Sequence, residues 1–354
     1  ELLVQHGADE NILVEAHPHI GTNKLPGIIE AMRETILKAG GVIHFGARLI
    51  DFEVAHQRIR SITWVDLATQ VQENVPCAHL ILATGHSAKD VFQLLHGKEV
   101  SLIAKSFAMG VRIEHPQSLI DQMQYRSEQR ETWLPPASYR LVCQADGRGV
   151  HSFCMCPGGI IAPCATEDGE VVTNGWSPSK RNNPFANSGM VVQLDPEAWE
   201  RLGYSGPLGG LHFQSSVEKA CWAAAGESQQ APAQRLVDFL NGTASNELPK
   251  TSYLPGVVPV NLHDVLPPLI VNALKEGLQT FVDRKPVFLS PDAVLVAPES
   301  RTSSPVRIPR NAEDLAHPEV HNLFPCGEGG GYAGGILSAA LDGIRVADAI
   351  NKAV

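Results

Sequence analysis

The chain has 354 residues, enough for two domains, and its 44% hydrophobic and 19% charged content is ordinary for a globular protein. A net charge of −10, from 28 basic and 38 acidic residues with no basic block, argues against a nucleic-acid partner. No apolar run approaches the ~18 residues of a membrane span, the opening residues lack a secretory pattern, and seven scattered cysteines suggest thiols in a reducing cytoplasm rather than a disulfide framework.

The chain opens on Glu1-Leu2-Leu3-Val4 without a methionine, which leads us to expect the later part of a longer protein. Asn11 to Ala16 reads as a short strand. A turn from His17 to Lys24 follows, with Thr22 or Asn23 as helix cap. Leu25 to Lys38 is an amphipathic helix, with Leu25, Ile28, Ile29, Met32, Ile36 and Leu37 on one stripe, stopped by Gly40-Gly41. Three strands are expected next: Val42 to Glu53, Arg58 to Val65 and the continuous apolar run Cys77 to Ala83. A helix from Lys89 to Leu95 closes this α/β half, which contains a small β-meander.

From about Ser101 the texture changes. Strand-like pieces, Ser106 to Ile113 and Tyr139 to Cys143, are separated by polar loops, and Val150 to Val172 is rich in glycine, proline and cysteine. Helices are expected at Val217 to Ala225, Ala233 to Leu240 and Pro267 to Phe281, then strand-like pieces at Val294 to Ala297 and Arg301 to Ile308. The chain ends with an apolar strand at Leu323 and Phe324, a glycine-rich turn, and a helix from Ile336 to Lys352. The expected fold is therefore α/β, with a mainly parallel sheet. A nucleotide-binding type of domain from 1–100 and 319–354 is interrupted by a mixed α+β insertion at 101–318.

The terminal turn carries the strongest chemical signal. Six of the nine residues from Gly327 to Gly335 are glycine, so the backbone can take positive φ and come close to a ligand. A helix N-terminus at Gly335 and Ile336 presents N–H groups and a partial positive charge. Glu328 can accept hydrogen bonds from ligand hydroxyls, and Gly327, Gly329 and Gly334 allow close approach. The bland alternative is tight helix–sheet packing through small residues. The second signal is Leu80 to Gly85, an apolar strand ending in Ala83-Thr84-Gly85, which leaves the strand's carboxyl end open where such sheets bind ligands.

Together these strings resemble the FAD-binding fold of the glutathione-reductase type, and more narrowly the bacterial family of uncharacterised FAD-dependent, or NAD(FAD)-utilising, dehydrogenases. The resemblance also rests on the stretches His17 to Leu25, Gly85 to Asp90, Arg112 to His115, Tyr139 to Val142, Ser152 to Gly159, Val172 to Gly175, Ala231 to Gln234 and Arg301 to Val306. It implies a partial FAD/NAD(P)-binding Rossmann-like domain, FAD as cofactor, NAD(P)H as a candidate reductant, and a small-molecule substrate chosen by the insertion. Arg301, Thr302 and Ser303 would face cofactor or substrate, with Arg301 suited to a carboxylate or phosphate. The family's Gly-x-Gly-x-x-Gly fingerprint on the first strand has no counterpart near the start of this chain. We therefore expect weak retention of FAD, or none, by this chain alone.

Cys154 and Cys156 are candidates for a redox dithiol; the alternative is a pair of small side chains on one face of a strand. Neither their spacing nor that of Cys164 matches a usual zinc pattern, and no metal is expected. His17 and His19 are candidate proton shuttles, weighed against capping and packing, and Arg112 and His115 stand similarly. Two rival readings remain. One is a binding module that kept the flavin fold without catalysis. The other is a flavin-dependent RNA-modifying enzyme, against which the acidic charge weighs.

Overall fold

The computed structural model describes residues 1–15 and 18–353, so Ala16 and His17 lie outside the described residues. The chain divides into two compact units. The first comprises Glu1–Ile43, Met109–Gln193 and Val217–Ser300, and the second His44–Ala108, Leu194–Ser216 and Arg301–Val354. The sequence reading draws these borders elsewhere. The opening 43 residues belong with the larger sheet, and 301–318 fall in the unit that carries the glycine turn.

The first unit is built on most of a seven-stranded sheet. Its order is Val257–Pro259, Ala231–Arg235, Val294–Glu299, Phe107–Pro116, Phe185–Leu194, Arg148–Cys156 and Val142–Ala145. The protein is thus mixed α/β with a large mixed sheet, which corrects the expectation of a mainly parallel one. Ala231–Arg235 runs parallel to Val257–Pro259 but antiparallel to Val294–Glu299, which is itself antiparallel to Phe107–Pro116. The cause is visible at the sheet's end. Val142–Ala145 and Arg148–Cys156 are joined by Asp146-Gly147, whose φ values of 47° and 69° suit a tight hairpin and so force antiparallel neighbours.

The helix Pro268–Arg284 covers this sheet region with Ile270, Ala273, Leu274, Leu278 and Phe281 buried at the three- and four-residue spacing of an apolar stripe. Its Gly277 permits close packing, because a Cβ there would meet Val150 Cγ1 at 2.7 Å. The helix expected at Ala233 to Leu240 splits into the strand Ala231–Arg235 and a short helix, Leu236–Asn241. Tertiary pairing overrides propensity here: the strand has partners on both edges, and Gln234 bonds to Thr243 O (2.7 Å) and the Leu262 N–H (2.9 Å). The strand expected from Asn11 is a 3₁₀ turn, Glu10–Leu13, because Asp9 accepts the Asn11 N–H at 2.9 Å. The helix Leu25–Lys38 has the expected bounds, but of its apolar stripe only Ile28 is buried, and Ile29, Ile36 and Leu37 are exposed.

The second unit holds the meander Ala47–Ala55, Arg58–Asp66 and Gln72–Pro76, all antiparallel. It also holds one parallel pair, Leu80–Leu82 with Leu323–Pro325. These elements pack around Phe52, Ile59, Leu82, Phe92, Leu95 and Leu323. The helix Lys89–Gly97 contributes Val91, Phe92 and Leu95. The helix Ile336–Ala353 follows the glycine turn and exposes Ile336, Leu337, Leu341 and Ile344. Among the described residues no helix is long and apolar enough to cross a membrane.

Candidate functional site

Parallel pairing places the ends of Leu80–Leu82 and Leu323–Pro325 side by side, so Ala83-Thr84-Gly85 and Cys326-Gly327 leave the pair together. Gly85 and Gly327 have φ values of 77° and 69°, in the region that favours glycine. The two turns touch: a Cβ on Gly329 would lie 2.5 Å from Gly85 O. Gly330 and Gly331 are similarly tight, against Cys326 and Arg307. A Cβ on Gly85, Gly334 or Gly335, in contrast, would meet nothing within 4 Å. The turn therefore uses its glycines in two ways. The middle ones pack against protein, while the Cβ positions of Gly85, Gly334 and Gly335 face open space.

The turn is braced from below. Asp342 accepts the Gly327 N–H at 2.7 Å and two hydrogen bonds from Arg310, at 2.9 and 2.6 Å. Arg310 also donates to Pro325 O, and its guanidinium lies 3.7 Å from the Tyr332 ring centroid. Glu328 lies 3.1 Å from His86 Nδ1, within ion-pair range though outside hydrogen-bond geometry. Lys105 sits half-buried near Glu328 and Arg307; burial, then Arg307, pushes its ammonium below the usual lysine range, and Glu328 opposes them. Lys105, Arg307 and His86 are not singled out by the sequence alone. His86 directly follows the Ala-Thr-Gly end and was within reach; Lys105 and Arg307 become neighbours only through the pairing of Ile103–Ala104 with Val306–Arg307.

Several expected ligand groups are engaged within the protein. The Gly334 N–H is directed at Ser338 Oγ (3.2 Å), and that hydroxyl donates to Gly335 O at 2.9 Å, so the start of the helix Ile336–Ala353 is partly capped from inside. Thr302 Oγ1 donates to Ala108 O (2.7 Å) and accepts the Ala108 N–H (3.1 Å), which makes it a backbone staple. Arg301 and Thr302 are buried, and Ser303 is partly exposed. These three share the second unit with Ala83, Thr84, Gly85 and the glycine turn.

His19, Cys154 and Cys156 belong to the first unit. His19 Nε2 bonds Pro178 O at 3.0 Å. The residues after it are zipped onto the same stretch: the Thr22 N–H donates to Ser177 O, Asn23 Oδ1 accepts the Ser179 N–H, and a Cβ on Gly21 would lie 2.3 Å from Ser179 N. Thr22 and Asn23 are thus ties to 177–179, and the residue before the helix, Lys24, makes no side-chain cap. His19 lines an open cavity of about 450 Å³ with Asp9, Glu15 and Lys24. His115 is a core histidine, fully buried, bonded to Phe288 O at 2.9 Å and packed on the Phe288 ring.

Cys154 and Cys156 lie at a break in the strand alternation. The pairing between Phe185–Leu194 and Arg148–Cys156 slips: Asn187 faces Cys156 while Gly189 faces Phe153. That bulge puts Cys154 at φ 44°, exposed, while Cys156 is buried. Beneath them lies the fully buried Arg112. It donates to Asn187 Oδ1 (2.7 Å), Glu299 Oε2 (2.7 Å) and Cys154 O (2.5 Å), and its Nη2 lies 3.7 Å from Cys156 Sγ. Gly175 makes room for this guanidinium, since a Cβ there would lie 2.0 Å from Nη2. Glu299 and, less strongly, the two cysteines hold Arg112 in its charged form against the cost of burial.

A family model described as FAD-dependent protein, C-terminal domain-like, matches residues 106–302. An uncharacterized protein of Clostridium beijerinckii is 40% identical over 352 residues, covering 98% of this chain and 64% of that protein. The chain therefore spans just under two thirds of the length of this relative. Among solved structures, the substrate-free form of the rebeccamycin biosynthetic enzyme REBC matches at 12% identity over 49% of this chain and 25% of that one, with a TM-score of 0.26. RebC-10x matches at 14% identity over 52% and 29%, with a TM-score of 0.25. Likeness at that level carries no argument.

Proposed function

The chain belongs to the family described as FAD-dependent protein, C-terminal domain-like, and on that premise we propose that it is part of an FAD-dependent oxidoreductase, a dehydrogenase acting on a small molecule. Its flavin nucleotide lies against the glycine turn of the second unit, a partial Rossmann-like site. The observation that carries this reading is the pair of adjoining strand ends whose outer glycines, Gly85, Gly334 and Gly335, are open while the inner ones are packed.

When bound, FAD supplies two-electron redox chemistry between the substrate and a second partner, with NAD(P)H as the proposed reductant. The chain's own residues bind and orient. Ala83, Thr84 and Gly85 form one wall, and Gly327 and Gly329 hold the turn against it. The start of the helix at Gly335 and Ile336 favours negative charge. Lys105, kept half-buried beside Glu328, adds a cation for a phosphate or a reduced ring. Glu328 accepts from ligand hydroxyls, with His86 beside it. Ser303 is the more open member of the Arg301-Thr302-Ser303 wall, and Arg301 is the member suited to an anionic substrate.

The test is titration of FAD into this chain and into the longer protein, followed by absorbance and flavin fluorescence. The expected result is near-stoichiometric binding by the longer protein, weak binding by this chain, and bleaching on anaerobic addition of NADH or NADPH. Gly334→Val and Gly335→Val, at positions without a positive φ and with open space around an added Cβ, should each weaken binding at least tenfold with the circular dichroism unchanged. Full FAD affinity in both folded variants would sink the assignment of the cofactor to this turn.

A further inference from the structure

We propose that Cys154 and Cys156 are a reversible redox dithiol, in which Cys154 attacks a hydroperoxide and Cys156 resolves the product to a disulfide, with Arg112 as the positioning residue. The proposal stands apart from the flavin reading and concerns the first unit alone.

Four observations carry it. The bulge brings one thiol out and keeps the other in, so a diffusing oxidant reaches Cys154 while Cys156 is shielded. The left-handed φ of 44° at Cys154 departs from the extended strand, in which a two-residue span reaches at most about 7 Å, at the upper edge of the Cα separation a disulfide spans. The Cys156 thiol donates to Cys154 O at 3.3 Å and is a hydrogen-bond neighbour of the Cys154 sulfur. Finally, a permanent cation is built in beneath the pair. Arg112 contacts both residues, and beside it the fully buried Asn187 keeps an Nδ2 without a hydrogen-bond partner. Such a donor-rich floor stabilises a thiolate.

The chemistry balances without another cofactor. The Cys154 thiolate attacks the outer oxygen of the hydroperoxide; an S–O bond forms, the O–O bond breaks, and the leaving oxygen takes a proton to become an alcohol or water. The Cys156 sulfur, giving up its proton, then attacks the Cys154 sulfur. The S–S bond forms, the S–O bond breaks and water departs. Two thiols lose two electrons and the peroxide gains them; an external thiol restores the pair by exchange.

The charge on the thiol sets where to look. The Cys156 hydrogen bond first, and Arg112 after it, hold Cys154 down at about 6 against the effect of burial, whereas Cys156 is pushed up. At mildly acidic pH more of Cys154 is thiolate than of an ordinary thiol, while its lower basicity reduces its intrinsic nucleophilicity. Cys154 should therefore alkylate faster than glutathione at mildly acidic pH and more slowly at alkaline pH.

The test treats the folded chain with one equivalent of hydrogen peroxide, then maps thiols by differential alkylation and peptide mass spectrometry. The expected product is a Cys154–Cys156 disulfide, lighter by about 2 Da and reversed by dithiothreitol. In Cys156→Ser, a dimedone-trappable sulfenic acid should accumulate on Cys154 instead. Arg112→Lys, if folded by circular dichroism, should move the midpoint of the alkylation pH profile, which a purely structural arginine would not. Oxidation of another cysteine first, a stable sulfenic acid in the parent chain, or a Cys154 profile parallel to that of glutathione would each overturn the proposal.

Discussion

Glu114 and His115 are consecutive on the strand Phe107–Pro116 and both are buried, at 2% and 0% exposure. Burial pushes the Glu114 carboxyl up from 4.5 to about 7, although its hydrogen bonds from Ser252 and the Arg112 charge pull the other way. Burial pushes the His115 imidazole down from 6.5 to about 4, against its bond to Phe288 O. Each displacement, 7 − 4.5 and 6.5 − 4, is 2.5 pH units, or ~3 kcal/mol. The signs are opposite. Between pH 4.5 and about 7 the folded chain keeps a proton on Glu114 that the unfolded chain has released, so stability falls as pH rises. Between about pH 4 and 6.5 the unfolded chain takes a proton that buried His115 refuses, so stability rises with pH. The two contributions overlap and largely cancel in the parent chain. Glu114→Gln removes one of them while keeping an acceptor for the Ser252 N–H; the Ser252 hydroxyl, which donates to Glu114 Oε2, can turn to accept from the new amide. Relative to the parent, the variant should be about equally stable near pH 4.5 and gain ~3 kcal/mol by pH 8. Urea unfolding followed by tryptophan fluorescence across that range measures it. A difference that stays constant with pH, or shrinks as pH rises, would refute the reasoning.

Two further outcomes follow from the same packing arguments. Gly175→Ala forces a Cβ to 2.0 Å from Arg112 Nη2 and 2.5 Å from Asn187 Oδ1, so chemical unfolding should show a loss of about 1–3 kcal/mol; a loss under ~0.5 kcal/mol would mean the guanidinium can shift aside. At Asp342 burial pushes the carboxyl up, but Arg310 and the Gly327 N–H outweigh it and the net direction is down. Its stabilising contribution is therefore present above pH 3.8 and is lost as pH falls through and below that value. Asp342→Asn should remove that acid-limb loss and lower stability near neutrality by about 1–3 kcal/mol, read by the same unfolding assay.

The helix Leu25–Lys38 and the glycine turn were legible in the sequence because apolar spacing and glycine content are local signals. The mixed character of the large sheet was not, because strand direction depends on which edges meet, and the short turn at Asp146-Gly147 sets antiparallel neighbours at one end. Arg112 could be noticed but not understood. Its role depends on Asn187 and Glu299, 75 and 187 residues away along the chain. The cysteine pair illustrates a sharper limit. Alternation along an ideal strand treats the two cysteines alike, and a single slip of register leaves Cys154 exposed and Cys156 buried.

That slip also says something about selection. A non-glycine residue at φ 44° costs on the order of 1 kcal/mol, and glycine would occupy the position without it. Cys154→Gly should therefore raise the melting temperature slightly while deleting the only thiol of the pair that faces solvent. If Cys154 is the attacking thiol proposed above, its backbone carries a cost that glycine would avoid, and the sulfur is what that cost secures.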